Sequence, residues 1–107
     1  MKKEKISLSQ IRQDLRLIKE FYLYHSEMNK SEIKISTLII GKVNTYNKLI
    51  KFTPIQLQYV YHNLYVLGLT QESLSDKMCY TRNYIYQLNI RLMKFFHTIL
   101  NIKDFVV

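Results

Sequence analysis

Apolar residues recur at threes and fours along most of this chain, and the breaks in that rhythm mark where one helix stops and the next begins. Leu8, Ile11, Leu15, Ile18 and Tyr22 form a first seam, opened by a hydroxyl at Ser7 or Ser9 and closed by a polar stretch near Met28 to Ser31. A second helix is expected from about Ile35 to Phe52, with Ile39, Val43, Tyr46 and Ile50 along one face. The β-branched run from Ile33 to Ile40 and the helix-weakening Gly41 leave a short strand as the alternative there, although no partner strand is visible elsewhere. Thr53-Pro54 reads as a hydroxyl cap followed by a proline at the first helical position. Beyond it Leu57, Val60, Tyr61, Leu64 and Leu67 make a third stripe, which Gly68 can end in a left-handed conformation.

Two more helix starts follow in quick succession. Thr70 and Thr81 each supply a capping hydroxyl, and each lies between apolar residues at staple spacing: Leu69 with Leu74, then Tyr80 with Ile85. That leaves room for about two turns of the first helix, ending near Met78 or Cys79. Helices joined by so short a connection must cross steeply, which is the layout of a helix-turn-helix. Tyr80 is expected in the core as a staple, and Cys79 fills the turn. In the second helix of the pair Ile85, Leu88, Leu92, Phe96 and Ile99 form the stripe to be buried. The opposite flank then carries Asn83, Gln87, Ile90 and Lys94, with Arg82, Tyr86 and Arg91 beside them. Arginine, asparagine and glutamine can make paired hydrogen bonds to guanine or adenine edges in the major groove, so this flank has the chemistry of a reading surface for double-stranded DNA. Tyr84 and Tyr86 could each bond a phosphate or touch a thymine methyl.

The architecture so predicted is all-α, with about five helices in a single domain. A C-terminal tri-helical helix-turn-helix unit (53–100) follows two N-terminal helices (1–52), and a short tail (101–107) ends the chain. The N-terminal helices either complete one core or supply a homodimer seam, which would set two reading helices about 34 Å apart on a palindromic site.

Composition changes this picture only modestly. A length of 107 residues suits one domain able to fold without staples. The formal charge of +8 predicts attraction to polyanions, but 12 of the 16 basic residues are lysine in a chain also rich in isoleucine, asparagine and tyrosine, the coding bias of an AT-rich genome. Placement of the four arginines tells more: Arg82 and Arg91 fall in the proposed reading helix, whereas Arg12 and Arg16 lie a turn apart on the first helix. The single cysteine excludes an internal disulfide and suits a reducing cytoplasm. No run of about 18 apolar residues suggests a membrane span, and the first ten residues lack the apolar core of a secretory signal.

Candidate chemistry of other kinds is sparse. His25, His62 and His97 stand apart without carboxylate or cysteine at ligand spacing, and Cys79 has no neighbouring histidine. Two glycines cannot write a phosphate-cradling loop. Neither a metal, nor a cofactor, nor catalysis is expected. Glu72 and Asp76, with Lys77 next to them, read as solvated surface of the first motif helix.

The stretch LYVLGLTQESLSDKMCYTRNYIYQLNIRL resembles the helix-turn-helix of sigma-factor region 4, and more closely phage late-operon transcriptional regulators of the RinA and ArpU type. The resemblance covers roughly Leu64 to Phe96 and extends upstream only as a general plan. Such proteins carry a small residue inside the first motif helix and glycine in the turn; here those places hold Ser75 and Cys79. The resemblance implies a phage or mobile-element regulator of transcription that binds double-stranded DNA. Gln71 would lie near a phosphate, with Arg82, Asn83, Gln87 and Arg91 directed at the duplex. It also implies a contact with RNA polymerase. The rival reading is a protein-binding module that turns the same face on a polymerase, a sigma factor or another host protein. A further DNA-linked alternative is packaging-site recognition of the terminase small-subunit kind.

Overall fold

The computed structural model describes residues 6–27 and 37–102, and among them every regular element is helical. In chain order these are α1 (Leu8–Glu27), α2 (Thr37–Leu49), α3 (Ile55–Tyr61), α4 (Gln71–Met78) and α5 (Arg82–Leu100). A 3-10 turn over Ile50–Phe52 finishes α2, and a π-helical turn over His62–Val66 finishes α3. The expected end of α1 near Met28 to Ser31, and the expected start of α2 at Ile35, lie outside the described residues.

Ser7, rather than Ser9, opens α1. Its Oγ accepts from the Gln10 N–H at 3.1 Å and its carbonyl accepts from the Ile11 N–H, also at 3.1 Å. Ile11, Leu15 and Ile18 are fully buried, while Leu8 at the first position of the helix and Arg12 and Arg16 on the outer face are exposed. Because that seam faces the interior of its own chain, α1 completes the core, and of its two readings the dimer seam is the one set aside. The apolar segment entering α2 is helical from Thr37 onward, not a strand. The helix buries Val43, Tyr46 and Leu49 against the rest of the molecule, which a strand lacking a hydrogen-bonded neighbour could not do.

Two expectations around α3 are overturned by local hydrogen bonds. Thr53 does not cap the helix: its hydroxyl donates to the Ile50 carbonyl at 2.7 Å, closing the 3-10 turn instead. The cap position is Pro54, whose carbonyl accepts from Leu57 and Gln58, so its missing N–H leaves nothing unsatisfied. Leu67, expected on the buried stripe with Leu57, Val60, Tyr61 and Leu64, is 54% exposed. The π turn explains this, since the Leu67 N–H reaches five residues back to the His62 carbonyl at 2.8 Å and the wider turn swings the side chain outward. Gly68 follows at φ 76, the left-handed region for which glycine is suited.

The core is one cluster to which all five helices contribute, with α5 supplying Ile85, Leu88, Leu92, Met93 and Phe96. Phe96 sits between two tyrosines, edge-on to Tyr46 at 4.8 Å and to Tyr61 at 5.9 Å between ring centroids. These are separations at which the aromatic quadrupoles attract. Polar groups enter this interior only with partners. Asp14 is buried in α1 and accepts hydrogen bonds from Gln10 Nε2, Lys42 Nζ and the Tyr46 hydroxyl at 2.9, 2.9 and 2.7 Å. At the far end of the fold the Asn101 side chain accepts from the Ile6 N–H at 2.8 Å and donates to the Ile6 carbonyl at 3.0 Å, clasping the end of α5 to the segment before α1.

Candidate functional site

Both threonine caps form where the sequence places them. Thr70 Oγ1 accepts from the Ser73 N–H at 3.0 Å and Thr81 Oγ1 accepts from the Tyr84 N–H at 3.1 Å, fixing the first residues of α4 and α5 at Gln71 and Arg82. Between them Cys79 takes the left-handed conformation, with φ 60 and ψ 34. The Tyr80 N–H bonds the Ser75 carbonyl at 3.0 Å and the Cys79 N–H bonds the Asp76 carbonyl at 3.3 Å, the paired reverse bonds of a Schellman ending. Cysteine thus occupies the conformation usually given to glycine.

The staples are half realised. Leu74 and Ile85 are fully buried and Leu69 is half-buried, but Tyr80 is 42% exposed rather than in the core. Its ring lies edge-on to Tyr84 at 4.8 Å, packing over the start of α5 from outside. Tyr84 is itself turned toward α3, where its hydroxyl accepts from Gln56 Nε2 at 3.4 Å, so it braces the scaffold and is not directed away from the molecule toward a phosphate.

With the staple residues placed, the flank of α5 can be followed residue by residue. Arg82, Asn83, Tyr86, Gln87, Arg91 and Lys94 are all exposed, and helical spacing brings Asn83, Gln87 and Lys94 onto one line with Arg82 and Tyr86 to one side and Arg91 to the other. Ile90, expected on that flank, is half-buried and packs against the core cluster. Gln71 belongs to the other motif helix, half-buried at the start of α4. No carboxylate occurs anywhere from Lys77 to Lys103, so α5 presents donors and cations without an acidic residue of its own. One carboxylate does reach it across the turn: Glu72 Oε1 of α4 lies 3.4 Å from Arg82 Nη1, with both side chains about 70% exposed.

Residues that the periodicity does not single out hold this pair of helices in place. Asn89, although on α5, is buried on its inner side and accepts from the Tyr65 hydroxyl at 2.6 Å. Lys77 is no freely solvated charge. Its Nζ donates to Oδ1 of buried Asn63 at 2.9 Å and lies 5.7 Å from the Tyr59 ring centroid, tying α4 to α3. Ser75 is buried, its hydroxyl donating to the Glu72 carbonyl, and its small volume fits the close packing expected at that place. The signal for Asn63 and Asn89 in the sequence is only that each lies within an apolar stripe, next to Leu64 and Leu88 respectively.

Among the described residues no group of three histidine, cysteine, aspartate or glutamate side chains comes together, and no helix is long and apolar enough to cross a membrane. Comparison of the chain with protein-family models, with curated proteins and with solved structures gave no match.

Proposed function

We propose that this chain is a sequence-specific double-stranded DNA-binding protein, a regulator of transcription, that places α5 from Arg82 onward in the major groove. The observation that carries this reading is the bare flank of α5: six polar or basic side chains stand free of the core on a helix whose opposite side is locked into it. Rigidity matters because base edges are read by hydrogen bonds that tolerate little misplacement, and burial of Ile85, Leu88, Leu92 and Phe96 leaves α5 no freedom to roll. Arg82, Asn83, Gln87 and Arg91 supply the base contacts, Tyr86 and Lys94 flank them, and Gln71 with the start of α4 positions the unit on a phosphate. A phage or mobile-element origin and a contact with RNA polymerase belong to the same reading, through the resemblance of Leu64 to Phe96 to RinA- and ArpU-type regulators. If two copies act on one site, they meet through a surface other than the buried seam of α1.

Binding to duplex DNA should weaken steeply between low and moderate salt, in proportion to the phosphates neutralised. Once a preferred sequence has been selected from random duplexes, Arg82→Ala and Gln87→Ala should each reduce discrimination against a wrong base pair by about 1 to 3 kcal/mol, read by competition binding. Unchanged preference in both variants would remove this flank from the interface.

A second reading has its own observation. Phe52 and Ile55 are 68% and 81% exposed, and Tyr59, one helical turn beyond Ile55, is 41% exposed, an apolar ridge at the start of α3 that suits contact with another protein. Duplex affinity that is absent, or flat with salt, would favour a protein-binding module over a DNA reader.

A further inference from the structure

Resting on the DNA-binding reading, we infer that Glu72 sets the selectivity of that site by keeping Arg82 from acting as a general phosphate anchor. Glu72 and Asp76 are the only acidic residues between Ile33 and Lys103, both lie on α4, and Glu72 is the one in contact with the α5 flank. A carboxylate beside a DNA-facing guanidinium works against non-specific affinity, since every approaching phosphate meets its repulsion. The two acceptors of a guanine edge behave differently. They carry no net charge, so they are not repelled, and their O6 and N7 match the paired donors of arginine. Glu72 therefore lowers the yield of Arg82 with phosphate more than its yield with guanine. With both side chains about 70% exposed, the pair is screened and readily exchanged, so Arg82 can leave the carboxylate for a better acceptor. The link also crosses the turn between the two motif helices, so it biases where the guanidinium stands before any duplex arrives.

The test compares wild type, Glu72→Gln, Arg82→Ala and the double variant on two probes: random-sequence duplex DNA, and the duplex selected by the wild-type chain. Glu72→Gln should raise affinity for the random duplex by about two- to fivefold, the size expected of an exposed charge pair. The selected duplex should gain less, so the ratio between the two probes falls. The dependence of random-duplex binding on salt should steepen by about one unit on logarithmic axes, reporting one more phosphate neutralised. In the Arg82→Ala background the same substitution should leave the ratio unchanged. An unaltered ratio in Glu72→Gln, or an equal change with and without Arg82, overturns this role for Glu72 while leaving DNA binding intact. Absence of salt-dependent duplex binding by the wild-type chain overturns both.

Discussion

An acidic side chain inside a helical core is tolerated only where donors converge on it, and Asp14 has three from two helices. The Tyr46 hydroxyl and Lys42 ammonium reach it from α2, so one side chain fixes the position of α2 against α1. Asp14→Ala leaves a buried phenol without its acceptor and should lower stability by about 2 to 3 kcal/mol, measured as a reduced midpoint in urea unfolding. Wild-type stability would show that Tyr46 finds water or another acceptor. Asp14 also marks where reading the chain stops. The caps at Thr70 and Thr81 and the turn at Gly68 were legible because their chemistry involves neighbours within a few positions. The roles of Asp14, Asn63 and Asn89 were not, since their partners Tyr46, Lys77 and Tyr65 lie fourteen to thirty-two residues away and only the fold brings them together.

Element boundaries divide along the same line. The extents of α4 and α5 agree with the staple-and-cap grammar, whereas α3 ends in a π turn that no periodicity indicated, and Leu67 leaves its stripe as a result. The turn between α4 and α5 offers a prediction. Cys79 holds φ 60, where a β-carbon costs about 1 to 2 kcal/mol, and its side chain is exposed, so little packing is at stake. Cys79→Gly should therefore raise stability by about 1 kcal/mol, the gain being trimmed by the greater freedom of glycine in the unfolded chain. Thermal unfolding checks it: a rise in midpoint is expected, and a fall would mean that the thiol makes a contact worth more than the strain.

At the scale of the molecule the core is mainly aliphatic but takes in the phenols of Tyr46 and Tyr61, which makes alkali a stress on the fold. Burial, foremost, raises the pKa of Tyr46, Tyr61 and Tyr65 above the ordinary value of 10.0, reinforced at Tyr46 by its bond to Asp14. For a group whose folded pKa is raised, the stabilisation is complete below the unfolded value and is lost above it, where the open chain ionises and the folded chain resists. The unfolding free energy from urea titrations should stay level to about pH 9 and then decline, by roughly 1 kcal/mol per buried tyrosine for each pH unit beyond about 10. Level behaviour through about pH 11 would contradict burial of these hydroxyls. The single interior also bears on α1, whose heptad-like seam admitted either a core or a dimer reading from sequence. Only the positions of α2, α3 and α5 decide for the core, because a stripe carries no label for the surface it meets.

One helix serves two masters in this arrangement. Since α5 roofs the interior with one side and leaves a polar and basic flank bare on the other, a chain cut short before Arg82 would keep the apolar flanks of α1 to α3 without their cover. Such a fragment loses the cover of its core and the polar flank of α5 together, so stability and any use of that flank are tied to the same helix.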